Sequence, residues 1–562
     1  MTKKWEVYQR DEQNIEKIVE TFHLNPLLAS IIANRGLKTK EDISVFLNPT
    51  RYDFHDPFLM NDMEKAVDRL KKAIEMKENV TIYGDYDADG ITSTSVLKRY
   101  LADRGLDVKT YIPNRLQEGY GLNKKAIDEI KKTNTTLVIT VDCGITSIEE
   151  VEYAREKKIE VIVTDHHETL EDLPNAVAVI DAKRKDNTYP FRGLAGVGVV
   201  FKLIQALSKS LGLEEKEYLK YLDLVCVGTI SDIVPLVDEN RVIAKLGLKL
   251  LEVTKNPGLQ CLIEAVGYKK VDSNMVSFGL APRINACGRM GHQEEALELF
   301  LTEDGAEARK ITTILNEYNK QRQETEKRIF EEAIHKIEKE HREKNRTIVL
   351  DGDNWHHGVI GIVSSKITEQ YFKPSILLCR EGDIAKGSGR SIPGFDLHDA
   401  LCRCSNYLEK YGGHEMAVGL SLKQNQIENF RQAFEKIAED KKIEEIEPIL
   451  LIDGEVTLKD IDKETVKELA LLEPFGEQNK VPLFLYRNLK IDSIRSLSEG
   501  KHLKVTLKDQ NYLMDGIAFN LGELANQFLI GDKVDVVGVL EINSFNGNEN
   551  VQMNIKDIRK SY

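Results

Sequence analysis

The chain has 562 residues, too many for one hydrophobic core, and three or four domains are expected. With 41% hydrophobic and 30% charged residues it has the composition of a globular protein, not of a fibre or a disordered chain. A net charge of −14 excludes a surface coated with nucleic-acid-binding charge, but not a local basic channel.

The opening residues carry no apolar run of signal-peptide type, and no later run is long enough to span a bilayer. Seven scattered cysteines (143, 226, 261, 287, 379, 402, 404) without a CxxC pair imply reduced thiols. The expectation is a cytoplasmic protein with no membrane contact.

Residues 1–60 have the pattern of a helical N-terminal region, broken at Asn25-Pro26 and Asn48-Pro49. From about residue 61 to 300, strands alternate with helices. Helical spacing at 63–76 precedes a strand at 80–83. Further strands are expected at 108–112, 136–141 and 160–163, with helices to 103 and over 124–132 and 147–157. Alternation of this kind builds a parallel sheet covered on both faces. After Ala178-Val179-Ile180 the pattern is mostly helical. Residues 301–345 form a charged run nearly free of Gly and Pro, which predicts a long exposed connecting helix. A second α/β domain is expected over 346–445. From 446 to 562 short strands at 449–452, 483–491, 503–507, 513–518 and 534–540 suggest a small barrel of OB type.

The chemistry concentrates at strand ends. The first strand runs into Gly84-Asp85-Tyr86-Asp87-Ala88-Asp89-Gly90; if the chain stays extended there, Asp85, Asp87 and Asp89 share one face. A calcium loop is excluded, because its twelfth position is Val96 and a strand, not a helix, precedes it. The next strands end in Asp142 and in Asp165-His166-His167, and a later apolar segment ends in Asp232. A lone Asp of this kind caps a helix and a lone His is satisfied in a core. Four such sites at one carboxyl edge, where open α/β sheets bind ligands, point to a shared crevice. Hard carboxylate oxygens with an imidazole suit Mn²⁺ or Mg²⁺, and two ions about 4 Å apart are expected.

These residues, with Gly228-Thr229-Ile230-Ser231-Asp232, resemble the four motifs of the DHH phosphoesterases. Leu194-Ala195-Gly196-Val197-Gly198-Val199, Pro282-Arg283-Ile284-Asn285-Ala286, Gly387-Ser388-Gly389-Arg390-Ser391 and Tyr411-Gly412-Gly413-His414 extend the likeness from about residue 20 onward. Within that superfamily the pattern is similar to the single-strand-specific 5′→3′ DNA exonucleases, which act in DNA repair and recombination. Many DHH enzymes open the first motif with a histidine ligand; here Asp85 stands nearest that role.

The resemblance implies Asp85 and Asp87 on one ion, Asp89, His166 and Asp232 on the other, and Asp142 bridging them. It implies His167 at the scissile phosphate and Asp165 orienting a histidine. Arg115, Arg283, Arg289, Ser388, Arg390 and His414 are the implied nucleic-acid contacts, with Gly387-x-Gly389 offering backbone N–H groups to a phosphate. In the barrel, Lys490, Arg495, Lys501, Lys504 and Lys508 interleave with Tyr486, Tyr512 and Phe519, a composition that suits single-stranded DNA. Expected partners are single-stranded DNA, a single-stranded-DNA-binding protein and a helicase, engaged by a monomer. The rival readings are a DHH hydrolase of oligoribonucleotides or cyclic dinucleotides, and a non-catalytic DNA-binding scaffold. Length and barrel weigh against the first, and the complete set of six ligands against the second.

Overall fold

The computed structural model describes residues 3–115, 117–545 and 548–561. They form two compact units, one of residues 55–232 with 247–448, the other of residues 3–54, 233–246 and those from 449 onward.

In the first unit a five-stranded parallel sheet has the order Val108–Tyr111, Val80–Gly84, Leu137–Val141, Glu160–Thr164, Ala178–Ile180. The central strands Val80–Gly84 and Leu137–Val141 are buried along their whole length, so they have unbroken apolar or small-residue sequences instead of alternation. Helices Met63–Met76, Ala88–Ala102, Lys124–Lys132, Ile148–Glu156 and Gly196–Ser210 accompany the sheet. The register sets Gly84 beside Val141, Val141 beside Thr164, and Thr164 beside Ile180. Asp85, Asp142, Asp165 and Asp181 therefore all lie one residue beyond the same line.

The long charged run is a helix of 35 residues, Gly305–Lys339. It is not the exposed spacer its composition suggests. Ala308, Ile311 and Leu315 are buried as it packs on Pro257–Val266, Ala281–Met290 and Gln293–Leu301. Ile329, Ala333 and Ile337 join the core of the next domain with Val359, Ile360 and Val363. A narrow apolar stripe at spacings of three and four suffices for both contacts, and the charges occupy the rest of the surface. That next domain has a five-stranded mixed sheet ordered Lys410–Gly413, Ala417–Lys423, Ile384–Arg390, Ser375–Glu381, Ile348–Asp353.

The second unit holds the barrel. Phe484–Leu497, His502–Asp509, Tyr512–Ala518, Asn548–Lys560 and Lys533–Phe545 pair in that order, and Phe484–Leu497 closes the ring by pairing with Lys533–Phe545. Two sequence expectations change here. The strand Ile449–Ile452 is not a barrel strand; it pairs in parallel with Lys4–Val7. The fifth barrel strand is Asn548–Lys560, whose apolar Val551, Met553, Ile555 and Ile558 are diluted by Gln552, Asn554, Lys556 and Asp557. Its pairing with a 13-residue partner, not its own hydrophobicity, makes it a strand. Ile15, Ile18, Leu28, Ile31 and Ile32 from the N-terminal helices share one apolar core with barrel residues such as Phe484, Val505 and Val534. Among the described residues no helix is long and apolar enough to cross a membrane, and all seven cysteines are free thiols.

Within this unit the buried Arg241 donates to the backbone carbonyls of Phe46 (2.6 Å), Leu472 (3.0 Å) and Glu473 (3.1 Å) and covers the Phe46 ring at 3.7 Å. Burial pulls its pKa down to about 9. Arg241→Ala leaves buried carbonyls unpaired and is expected to destabilise this unit by on the order of 3 kcal/mol. Urea unfolding followed by Trp5 fluorescence in a Trp355→Phe background checks this, because Trp5 belongs to the same unit. An unchanged midpoint would remove Arg241 as its anchor.

Candidate metal centre

The acidic motif is not extended. The strand stops at Gly84, Asp87 caps the helix Ala88–Ala102, and Asp89 lies in its first turn. One Asp87 carboxylate oxygen accepts the backbone N–H groups of Asp89 and Gly90, both at 3.0 Å. Gly90 permits this tight turn, since a Cβ there would stand 2.4 Å from the Asp85 carbonyl oxygen. Strand-to-helix reversal, not strand alternation, thus spreads the three aspartates over two positions.

Asp85, Asp87 and Asp142 bring carboxylate oxygens together in one group; Asp89, His166 and Asp232 form a second; and Asp142 also stands with His166 and His167. His166 Nε2 lies 3.1 Å from Asp142 Oδ1, 3.6 Å from Asp232 Oδ2 and 3.8 Å from Asp89 Oδ2. Despite these approaches, Asp85 Oδ1, Asp142 Oδ1 and His166 Nε2 are buried without a hydrogen-bond partner. Such orphaned donor atoms converging from three strand ends are what a cation would satisfy, and the set of oxygens plus one imidazole fits Mn²⁺ or Mg²⁺. The neighbouring Cys143 thiol is turned toward the Tyr83 carbonyl and takes no part.

The electrostatics agree. Burial, then Asp87, holds the Asp85 carboxyl well above the ordinary range. Burial with the charges of Asp89 and Asp87 does the same to Asp142 and Asp232. Asp89 is raised to about 7 by burial and Asp87, although Gly196 and Val197 donate backbone N–H groups to it at 2.6 and 2.8 Å. Burial and the adjacent His167 lower His166 to about 3, leaving it neutral and ready to ligate.

His167 differs. Burial lowers its pKa, but the hydrogen bond between Nδ1 and Asp165 Oδ1 (2.7 Å) outweighs this and raises it to about 9. Asp165 is itself fixed by N–H groups of His166 (2.7 Å), His167 (3.2 Å) and Ile145 (2.9 Å).

Arginines gather beside the acids. Arg289 donates to the Gly358 carbonyl at 3.1 Å; burial and the charges of Arg115, Arg322 and Arg390 depress it to about 9. Arg115 lies over the Tyr86 ring at 5.0 Å, and Arg390 donates to Ser388 Oγ at 3.1 Å. Arg283 is directed elsewhere, to Asn316 at 2.6 Å and the Gly279 carbonyl at 2.7 Å. His414 is exposed on the hairpin between Lys410–Gly413 and Ala417–Lys423.

Gly387 and Gly389 do not form the expected phosphate nest. They sit in the central strand Ile384–Arg390, paired on both sides, so their backbone N–H groups belong to a sheet. They face Leu378, Leu420, Ile376 and Val418, where a Cβ would collide, while Ser388 and Arg390 alternate to the opposite face. In the barrel, Tyr486 is core and cannot stack on a base, whereas Tyr512 and Phe519 are exposed. Lys490 pairs across strands with Lys508, and Arg495 with Lys504, a basic ladder; Lys501 is exposed nearby.

Sequence reasoning passed over several residues. Asp181, buried and raised to about 8 by burial, ends the fifth strand in the register of the other acids, and the same strand-end signal points to it. Asn285, whose side chain accepts the Ala88 N–H at 2.8 Å, and Tyr120, whose hydroxyl reaches His167, give no such signal. Nor does Arg322, on the long helix.

The family models for the DHH family N-terminal domain, the DHHA1 domain and the RecJ OB domain match residues 79–229, 344–440 and 452–557. Fold and site thus define a DHH-family protein with an OB module. The single-stranded-DNA-specific exonuclease RecJ of Bacillus subtilis is 40% identical over 99% of this chain and 70% of its own length. That of Dickeya dadantii is 34% identical over 95% of this chain and 96% of its own. The structure of RecJ from Thermus thermophilus in complex with Mn²⁺ superimposes with a TM-score of 0.87 at 32% identity, covering 100% of this chain and 80% of that one. The chain belongs to the RecJ family.

The raised carboxyls make the site's stability depend on pH. The folded Asp89 value of about 7 exceeds the ordinary 3.8, so what it contributes without metal is present at low pH and lost as pH rises through 7. A cation removes that penalty. The melting-temperature increment given by Mn²⁺ to EDTA-treated protein is expected to grow from about pH 6 to about pH 8. An increment that is flat or falls over this range would count against these residues as the metal site.

Proposed function

We propose that the chain is a two-metal exonuclease that hydrolyses single-stranded DNA from its 5′ end, with a role in repair and recombination. The observation that carries this is the pair of ligand groups meeting at Asp142, with buried, unpartnered donor atoms, beside a group of arginines. Asp85, Asp87 and Asp142 would hold one Mn²⁺ or Mg²⁺, and Asp89, His166 and Asp232, again with Asp142, the other. Bound there, the ions supply activation of water and neutralisation of charge on the phosphorus oxygens. The chain's own residues do the rest. The helix N-terminus at Gly196 and Val197 fixes Asp89 and offsets its charge. Asp165 orients His167, whose Nε2 is then free to meet the scissile phosphate or the leaving oxygen.

Arg115, Arg289, Arg390 and Ser388 form the grip for the terminal phosphate, which carries more charge than an internal diester. Burial and the neighbouring charges of Arg115, Arg322 and Arg390 weigh on Arg289, and a bound phosphate would relieve that repulsion while accepting from several donors at once. The OB module adds length: its basic ladder and the exposed Tyr512 and Phe519 suit backbone contact and base stacking. That module also favours a polymeric substrate over a cyclic dinucleotide. A single-stranded-DNA-binding protein and a helicase are the partners that would deliver such a substrate to a monomeric enzyme.

The direct test supplies Mn²⁺ and oligonucleotides labelled at either end to wild type and Asp142→Ala. Wild type is expected to release mononucleotides from the 5′ end of single strands and to leave duplex intact. Asp142→Ala is expected to be inactive yet to melt, without metal, no lower than wild type, because one repelling carboxylate is gone. Degradation from the 3′ end would overturn the direction, and active Asp142→Ala the two-metal site.

Arg390→Ala, compared in the Asp142→Ala background by DNA-binding titration, is expected to weaken binding of 5′-phosphorylated strands by about tenfold or more. Binding of 5′-hydroxyl strands should change little. An unaltered preference would remove Arg390 from end recognition.

A further inference from the structure

The loop between the strand Val108–Tyr111 and the helix Lys124–Lys132 carries a tyrosine that the reading above does not use. Tyr120 stands between Gly119 and Gly121, whose φ values of +86° and +85° are in the left-handed region. The loop is held firmly. Glu118 accepts from the Asn114 N–H (2.8 Å), the Tyr111 hydroxyl (2.9 Å) and the Asn123 amide (3.1 Å), and the Gly121 carbonyl accepts from the buried Tyr83 (2.9 Å). So built, it leaves the Tyr120 residue 49% exposed yet directs the hydroxyl inward. The hydroxyl lies 3.1 Å from His167 Nδ1 and 3.4 Å from the Asp142 carbonyl oxygen.

The donors and acceptors settle the arrangement. Asp165 Oδ1, 2.7 Å from His167 Nδ1, already accepts two backbone N–H groups and acts as a carboxylate, so Nδ1 carries the proton between them. The Tyr120 oxygen therefore shares that N–H as an acceptor, and its own proton is free for the Asp142 carbonyl. The rings reinforce this. Tyr120 meets His167 edge-on at 5.6 Å, and His166 lies against the His167 ring at 4.4 Å. Nε2 is left on the far side of the ring from these partners.

We propose that Tyr120 is a positioning residue for His167: its hydroxyl ties the imidazole to the Asp142 backbone and holds Nε2 toward the reacting phosphate. The inference rests on the nuclease reading above. It also gives the loop a double duty, because the same short segment begins with Arg115, placed to grip phosphate. A strand end held by Arg115 and a histidine held by Tyr120 would thereby be served from one loop.

Tyr120→Phe keeps the ring and removes only the hydroxyl. On a 5′-phosphorylated single strand with Mn²⁺, it is expected to lower kcat by about tenfold or more, with KM changed by less than about twofold. In a His167→Ala background, read by single-turnover kinetics, the same substitution is expected to cost nothing further. No loss of kcat in the single variant, or an equal loss in both backgrounds, would overturn the proposal. A second readout needs neither metal nor activity. In the metal-free full chain with ¹⁵N-labelled histidine rings, the His167 signals are those missing from His167→Ala, and their Nδ1 shift is expected to move in Tyr120→Phe. An unmoved shift would also overturn it. Wild type that hydrolyses no DNA would sink the nuclease reading, while the ring shift would still decide the role of Tyr120.

Discussion

Crowding of negative charge at one edge of a parallel sheet is the constraint on which the rest of this structure depends. Two carboxylates about 4 Å apart repel by about 4 kcal/mol at an effective dielectric of 20, and here five converge. The fold meets part of that charge with helix N-termini. Asp87 caps Ala88–Ala102, and Asp89 takes two N–H groups from the start of Gly196–Ser210. The atoms left over, on Asp85, Asp142 and His166, face one another unpaired. These unpaired donor atoms are what a divalent cation would satisfy.

The neighbouring elements are shaped by what this edge requires. Gly196 is demanded by proximity: a Cβ there would lie 2.7 Å from the Asp142 carboxylate. Gly288 lets its helix reach the Tyr86 carbonyl, where a Cβ would stand at 2.4 Å, and three residues earlier Asn285 takes up the Ala88 N–H. These contacts brace the turn that carries three of the acids. A close-packed second layer of this kind cannot be moved without moving the ligands.

Charge separation over a short distance also explains how a chain of net charge −14 can handle a polyanion. The acids gather from two strand ends (Asp85, Asp142), one helix N-terminus (Asp87, Asp89) and the end of the helix Leu222–Ser231 (Asp232). The arginines that flank them come from four separate segments: the loop at Arg115, the helix ending near Arg289, the long helix at Arg322 and the strand ending at Arg390. Burial, and after it repulsion from Arg115, Arg322 and Arg390, lowers the Arg289 pKa, and an anion bound there would offset that repulsion. Overall charge sets solubility, and local placement sets binding.

Much of this was legible in the sequence. Strand-helix alternation, acids repeated at strand ends and a barrel-like tail came from local periodicity, and backbone geometry alone puts the end of each parallel strand at the same edge. The positions of Asp85, Asp142, Asp165 and His166 followed from that. What the sequence could not give depends on partners distant along the chain. Ile449–Ile452 joined Lys4–Val7 because strand pairing is decided by what lies alongside. Asn548–Lys560 became a strand through a long partner despite its polar content. The Gly387 and Gly389 pair served packing, not phosphate, once the strand proved central. Tyr120 belongs to none of the motifs, and the motif that contains Asn285 assigns that residue no role. Their hydroxyl and amide matter only because loops and helices from elsewhere bring them within 3.1 Å of His167 and 2.8 Å of Ala88. Hydrogen bonds act over a few ångströms, and only the tertiary structure sets distances of that size between residues far apart in the chain.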